Sequence, residues 1–327
     1  MPTGEKISAR ALWITAPRCA ELRTAPLKAP GEGEAVVRAL YSGISRGTER
    51  LVFNAEVPAS EYRRMRAPLM EGDFPFPVKY GYAAVGIVTE GPPPLRDRTV
   101  FCLHPHQDRF VAPVSMLAVL PDSVPPRRAI FAANMETALN AMWDSGAGPG
   151  DRIVVVGAGV VGLLIARLAA RLPGAEVTVV DVAPERAETA RALGCGFAAP
   201  SAAPTGADVV FHASVTPQGL ATAIHAAGFE GTIVEVSWFG DRATQVPLGG
   251  AFHSQRLKLV SSQVGQIATS RRPRWDYARR REAALSLLND PALDALITEE
   301  IAFDDLAGSL ARVFAPGAPG LQTLVRY

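Results

Sequence analysis

"RIVVVGAGVVGLLIARL", residues 152–168, decides the fold. Ile153 to Val156 form an unbroken β-branched run, the composition of a strand buried on both faces. Gly157, Gly159 and Gly162 follow in the pattern G-A-G-V-V-G, and the leucines and alanines behind them fit a helix. Each glycine has its own physical task. Gly157 permits the tight turn, Gly159 lets the backbone approach a pyrophosphate, and Gly162 lets helix and strand pack closely. The phosphates then sit at the helix N-terminus, where the free N–H groups of the first turn, at Val160 and Val161, and the helix dipole favour negative charge. By itself such a turn is also a plain packing solution. The next strand, "VTVVD", adds weight because it ends at Asp181, about twenty residues beyond the glycines, where a carboxylate accepts the ribose hydroxyls of an adenosine. The same charge repels a 2′-phosphate, so NAD(H) is expected over NADP(H). Arg186 lies nearby in "APERAETARALG" and reads as part of a solvated helix face.

Working outward, "IFAANMETALNAMWDSGAG" reads as a helix ending at glycine, and "ADVVFHAS", "GTIVEVSW" and "LKLVSSQ" as further strands, with "PQGLATAIHAAG" a helix between them. Strands alternating with helices predict an α/β fold with a doubly wound parallel sheet over residues 125–267. Residues 7 to about 120 have a different texture: short alternating runs separated by Pro/Gly turns, as in "GEAVVRALYSG" and "DRTVFCLH", predict a mostly antiparallel, barrel-like β domain. Within it "PASEYRRMRAPL" reads as a short helix capped by Ser60. The tail from about residue 268 holds two amphipathic helices and closing strands.

Composition narrows the function classes. The 327 residues are 48% apolar, enough for two packed cores, and a formal charge of +1 offers no field for nucleic acid or an anionic membrane. A small-molecule partner is expected. Cys19, Cys102 and Cys195 are an odd, widely spaced set with no C-x-x-C pair, which fits a reducing cytosol better than a disulfide framework. "MPTGEKISARALWITAP" has no apolar core of signal-peptide length, and "IVVVGAGVVGLLIA" is broken by glycines, so neither reads as an export or membrane segment.

The β-rich N-terminal lobe, the mid-chain "GAGVVG" domain and the C-terminal return together resemble the medium-chain dehydrogenase/reductase superfamily. The phrases "SGISRGTE", "YGYAAVG" and "SSQVG" resemble the subgroup containing bacteriochlorophyllide a dehydrogenase and proteins labelled zinc-binding alcohol dehydrogenases. The resemblance implies a GroES-like β-rich catalytic domain built from both chain ends, residues 1–124 and 268–327, around a Rossmann domain at 125–267. It also implies a cytoplasmic homodimer with an active site in the cleft between lobes. Catalytic zinc in such enzymes needs three protein ligands, commonly two thiolates and an imidazole. At the positions the resemblance assigns to them this chain has Ser45, Tyr82 (with Ala83 after it) and Ala133/Asn134. None is a good zinc ligand, so no zinc is expected. Cys102, His104 and His106 are the one alternative set, facing one side of a strand, but i, i+2, i+4 spacing spreads them over more than about 10 Å unless Pro105 bends the chain.

Without zinc, something must exchange the hydroxyl proton and steady the developing alkoxide. By the resemblance, Tyr82, Ser45 and His104 face the cleft. Tyr82 is assigned as acid/base, His104 as proton shuttle and Ser45 as the group orienting the oxygen, while Lys79 would lower the Tyr82 pKa if it points inward. Tyr82 as a filler of the space left by zinc, and His104 as a satisfied loop histidine, are the competing readings. Thr48 is a candidate proton relay, one residue out of the usual register. Thr137 matches a threonine beside nicotinamide, or is simply core helix. Arg271, Arg272, Arg274, Arg279, Arg280 and Arg281 in "SRRPRWDYARRR" read as a solvated helix face, or as a cluster for an anionic substrate beside Trp275 and Tyr277. The expected activity is interconversion of a small or cyclic secondary alcohol and a ketone. The alternatives are enone or quinone reduction, against which Asp181 argues, and a non-catalytic nucleotide-binding sensor or scaffold.

Overall fold

The structure, a computed structural model, describes residues 7–327. Residues 1–6, where the stretch read as lacking an export segment begins, lie outside the described residues. The chain divides into two compact units, one of residues Asn134–Leu296 and the other of the described residues up to Ala133 together with Ile297–Tyr327.

In the first of these, six parallel strands lie in the spatial order Gly196–Ala198, Glu176–Val180, Arg152–Val156, Ala207–His212, Ala227–Glu235, Lys258–Ser261. This is the doubly wound order, and it reverses direction at Arg152–Val156, which pairs in parallel with Glu176–Val180 on one side and Ala207–His212 on the other. The β-branched run of Ile153 to Val156 is almost wholly buried, as a central strand covered on both faces requires. Helix Val160–Ala169 lays Leu163, Leu164 and Ile165 onto it with no residual exposure, a burial of about 1.5–3 kcal/mol for each side chain. On the other half of the sheet Val154, Val210 and Ile233 pack beneath Leu220 and Ile224 of helix Pro217–Ala226, whose N-cap Thr216 accepts from the Gly219 amide.

The second boundary falls later than the sequence suggests. Residues 268–296 pack with the parallel sheet and not with the β-rich unit, which the chain rejoins only at Ile297. Two ion pairs explain this. The Arg280 guanidinium, on helix Tyr277–Leu287, is buried 3.1 Å from Glu136 and 3.1 Å from the Asn140 amide oxygen, both on helix Ala132–Ser145. Arg167 makes a two-pronged contact with Asp290 at 2.7 and 3.2 Å. The arginine-rich segment is therefore only partly a solvated face: Arg280 is internal, and Arg279 lies over the Trp275 ring at 4.1 Å.

The other unit holds two sheets. Cys19–Pro26, Ser8–Ala16, Val78–Lys79 and Glu71–Gly72 form one antiparallel sheet. The larger runs Ile297–Ala302, Gln322–Arg326, Glu34–Ile44, Ala84–Glu90, Thr99–Cys102, Ala118–Val119, with Arg109–Pro113 also paired to Glu34–Ile44. Only Ile297–Ala302 and Gln322–Arg326 run parallel in it. The expected helix in "PASEYRRMRAPL" is a single 3-10 turn, Ala59–Glu61. Pro58, not Ser60, is its N-cap, and Tyr62 is its C-cap. Among the described residues no helix is long and apolar enough to cross a membrane.

The buried Arg280–Glu136 pair gives a direct stability test. Burial raises the Glu136 pKa while Arg280 and Arg281 oppose the rise. Removing the guanidinium leaves a buried carboxylate compensated only by Arg281, 3.8 Å away. Arg280→Met is expected to cost about 3 kcal/mol, read as a lower urea midpoint at unchanged slope.

Candidate functional site

Two constellations of polar side chains carry the functional candidates, one in each unit. In the parallel-sheet unit the glycine turn shows a division of labour. A β-carbon on Gly157, at φ +111, would stand 2.7 Å from the Ala213 carbonyl carbon, and one on Gly162 would stand 2.0 Å from the Gly157 carbonyl oxygen. Those two glycines are demanded by packing. Gly159 has nothing within 4 Å of its would-be β-carbon, is exposed, and caps helix Val160–Ala169, so its backbone is open to a ligand. Val160 and Val161 follow it half-buried in the first turn. Asp181 is tied to this turn: its Oδ2 accepts from the Ala158 amide at 2.6 Å and its Oδ1 from the Ala183 amide at 2.9 Å. Each carboxylate oxygen keeps a further lone pair for a ribose hydroxyl. This arrangement fits a dinucleotide: open amides at a helix N-terminus and a fixed carboxylate at the end of the neighbouring strand. Thr137 lies half-buried on helix Ala132–Ser145.

In the β-rich unit the chain turns at Ser45 into helix Thr48–Phe53. The Ser45 carbonyl accepts from the Glu49 amide at 3.0 Å, and Glu49 reaches back so that its Oε1 accepts from the Ser45 amide at 2.8 Å. Tyr82, just before strand Ala84–Glu90, donates its phenol to Ser45 Oγ at 2.5 Å, and Thr48 also hydrogen-bonds the phenol. The structure thus brings together Ser45, Tyr82 and Thr48.

Behind them runs a buried chain that the sequence reading missed. His106 Nε2–H donates to Glu49 Oε2 at 2.9 Å, Ser42 donates to His106 Nδ1 at 2.7 Å, and the Tyr327 hydroxyl lies 2.9 Å from Ser42 Oγ. Ser42, Glu49 and His106 are all but fully buried. One signal for it was present in "YGYA": Gly81, at φ +128, is a glycine because a β-carbon there would stand 2.9 Å from the His106 ring.

His104 is placed differently from its assigned role as proton shuttle. Its ring stacks on Phe110 with centroids 3.8 Å apart, and Nδ1 donates to the Pro105 carbonyl at 2.9 Å. Burial pushes the imidazole down to about 3, so it is neutral at ordinary pH. It lines a cavity of about 250 Å³ with Trp13, Arg23, Lys79 and Phe110, and neither Ser45 nor Tyr82 lines that cavity. Lys79 does not lower the Tyr82 pKa either: its Nζ is held by Glu71 and by Gln107 Oε1 at 2.7 Å. Burial first and the Glu49 charge second push the phenol up, to about 12.

Comparison with known proteins agrees with the fold. The profile of the zinc-binding dehydrogenase family matches residues 160–279. The D-guloside 3-dehydrogenase of Escherichia coli (strain K12) is 28% identical over 163 residues, 46% of this chain and 47% of that protein. The chain spans about half the length of the curated relatives it matches. Among solved structures, a short chain alcohol dehydrogenase from E. coli CFT073 complexed with NADH superposes with a TM-score of 0.78 at 16% identity, covering 98% of this chain and 99% of that one. The 2R,3R-butanediol dehydrogenase of Bacillus subtilis does so at 0.77 and 18%, covering 98% and 99%. Residues 160–279 thus match the zinc-binding dehydrogenase family, and the fold is that of these solved dehydrogenases, a Rossmann sheet plus a GroES-like β domain.

The superfamily's zinc does not fit the residues present here. Two oxygen ligands at about 2.1 Å from one tetrahedral ion stand about 3.4 Å apart, whereas Ser45 Oγ and the Tyr82 hydroxyl are bonded directly at 2.5 Å. Ala133 and the half-buried Asn134 add no thiolate or imidazole. The alternative set does not assemble either: both His106 nitrogens and His104 Nδ1 have hydrogen-bond partners, and no group of three His, Cys, Asp or Glu among the described residues is placed to hold a metal ion.

Tyr82 accordingly stays a phenol through the neutral range. In a pH titration followed at the phenolate absorbance, the difference between wild type and Tyr82→Phe should develop only near pH 12. Glu49→Gln should move that step to lower pH, because the carboxylate's repulsion of the phenolate is gone.

Proposed function

We propose that this protein is an NAD(H)-dependent oxidoreductase of the alcohol dehydrogenase/ketone reductase type, acting on a small or cyclic secondary alcohol or ketone without catalytic zinc. The observation that carries the reading is the Tyr82–Ser45 hydroxyl pair, hydrogen-bonded to each other where the superfamily resemblance puts metal ligands, in a chain that keeps its dinucleotide turn. The cofactor, when bound, supplies or receives the hydride.

The remaining chemistry belongs to side chains. Because Tyr82 donates to Ser45, the Ser45 proton is free to point at a substrate oxygen. As negative charge develops on that oxygen during ketone reduction, Ser45 donates its proton to it and takes the Tyr82 proton in turn, and the phenolate so formed, still bonded to Thr48, is reprotonated from solvent. With its pKa pushed up to about 12 the phenol is protonated at neutral pH, the form that ketone reduction needs, whereas alcohol oxidation would first have to deprotonate it. Asp181 supports NAD(H) over NADP(H), since a fixed carboxylate accepts ribose hydroxyls and repels a 2′-phosphate. A cytoplasmic homodimer is part of the same reading and rests on cysteine usage and the superfamily resemblance alone.

Metal analysis of the purified protein, fluorescence titration with NADH and NADPH, and turnover of a panel of ketones and enones with 4-deuterated NADH test these points together. The expected result is no stoichiometric zinc, tighter NADH than NADPH binding, and deuterium on a carbinol carbon. Tyr82→Phe should lower kcat/KM by about 10²–10⁴ while leaving NADH affinity unchanged. Zinc that disappears in Cys102→Ala, or deuterium delivered to an enone carbon instead, would overturn the reading.

A further inference from the structure

His212 and Glu235 end adjacent parallel strands in register, and neither belongs to the glycine turn or to the hydroxyl pair described above. His212 is fully buried. Its Nδ1–H donates to Glu235 Oε2 at 2.7 Å, and its Nε2 accepts the Ser214 hydroxyl at 2.8 Å. The other Glu235 oxygen accepts from the Ser237 amide at 2.8 Å, and Ser237 Oγ accepts from the Val215 amide at 3.1 Å. Val215 is β-branched yet sits at φ +57, a conformation such residues rarely adopt and one concentrated at ligand-binding sites. The fold also makes room for the serine: a β-carbon on Gly219 would stand 2.0 Å from Ser214 Oγ.

The hydrogen-bond order fixes what Ser214 can offer. Its proton is committed to His212, whose other nitrogen is committed to Glu235. The half-buried Ser214 oxygen is thereby left as an acceptor: the Thr216 hydroxyl, 3.0 Å away, donates to one of its lone pairs and the other is left for a ligand. Such an acceptor suits an O–H or N–H donor and repels a phosphate. It stands at the carboxyl end of the sheet against the glycine turn, since a β-carbon on Gly157 would lie 2.8 Å from the Ser214 nitrogen. Strand order reverses at Arg152–Val156, and dinucleotides lie across such a reversal with one nucleoside on each side. Asp181 ends a strand on one side, and His212, Glu235 and Ser214 occupy the strand ends on the other.

We propose that Ser214 Oγ accepts a hydrogen bond from the nicotinamide-riboside half of the bound dinucleotide, with His212 and Glu235 as positioning residues that hold its proton away from the ligand. The inference rests on the reading of this sheet edge as an NAD(H) site and concerns binding alone. Equilibrium titration of wild type, Ser214→Ala, Glu235→Gln and Glu235→Ala with NADH, ADP-ribose and ADP tests it.

Ser214→Ala is expected to weaken NADH about tenfold, about 1.4 kcal/mol, while ADP, which lacks the second nucleoside, changes less than about twofold. Loss shared by ADP-ribose assigns the ribose hydroxyls as the donor; loss confined to NADH assigns the carboxamide. Glu235→Gln keeps an acceptor for Nδ1–H and should stay near wild type, whereas Glu235→Ala should follow Ser214→Ala. Unchanged NADH affinity in Ser214→Ala overturns the proposal, and so does equal weakening of NADH and ADP with a lowered Tm, the mark of a purely structural network. Wild type that binds neither NADH nor ADP would instead remove the NAD(H) reading on which the proposal depends.

Discussion

A β-carbon on Gly162 would stand 2.0 Å from the Gly157 carbonyl oxygen, and the whole sheet edge is built around that missing atom. Its absence lets helix Val160–Ala169 press against the end of strand Arg152–Val156, bringing the helix N-terminus to the point where the strand order reverses. The contact propagates in both directions. On one side the turn is fastened to Asp181 through the Ala158 amide, and on the other it packs against Ala213 and Ser214. A single close approach thus fixes the Asp181 carboxylate and the Ser214 backbone relative to the same glycine turn.

The β-rich unit solves a different problem, the burial of a carboxylate. Glu49 is 3% exposed and would be costly there without partners. It receives the Ser45 amide on one oxygen and His106 on the other, and the chain continues through Ser42 to Tyr327 so that each hydroxyl and ring nitrogen in it is matched. Burial of the neighbouring Tyr82 and, second, the Glu49 charge hold the phenol protonated. Where zinc would stabilise an alkoxide by its own charge, a hydroxyl pair backed by a fixed carboxylate can act only as a proton donor. On the proposed zinc-free reading, that difference favours substrates whose oxygen needs a proton more than a Lewis acid.

How legible the sequence was depended on the distance over which each feature is set. The glycine turn, the parallel strands and the helix over Ala132–Ser145 were legible because periodicity and turn chemistry are local. The end of the dinucleotide unit was misplaced because Arg280–Glu136 and Arg167–Asp290 join residues more than a hundred positions apart, and no window over "SRRPRWDYARRR" distinguishes the one internal arginine from its exposed neighbours. The helix expected near Ser60 is a single 3-10 turn.

His104 and His106 show the limit most clearly. Two residues apart in "HPHQD", they read alike as strand-end histidines, yet His104 stacks on Phe110 beside the Trp13-lined cavity while His106 joins Glu49. The sequence by itself determined the doubly wound sheet and its glycine turn, since each depends on the residue types in a short stretch. Only the tertiary structure decided which histidine stands behind the Tyr82–Ser45 pair and that Ser214, His212 and Glu235 form one cluster. Burial and hydrogen-bond pairing between distant strands are properties of the assembled chain, not of any segment.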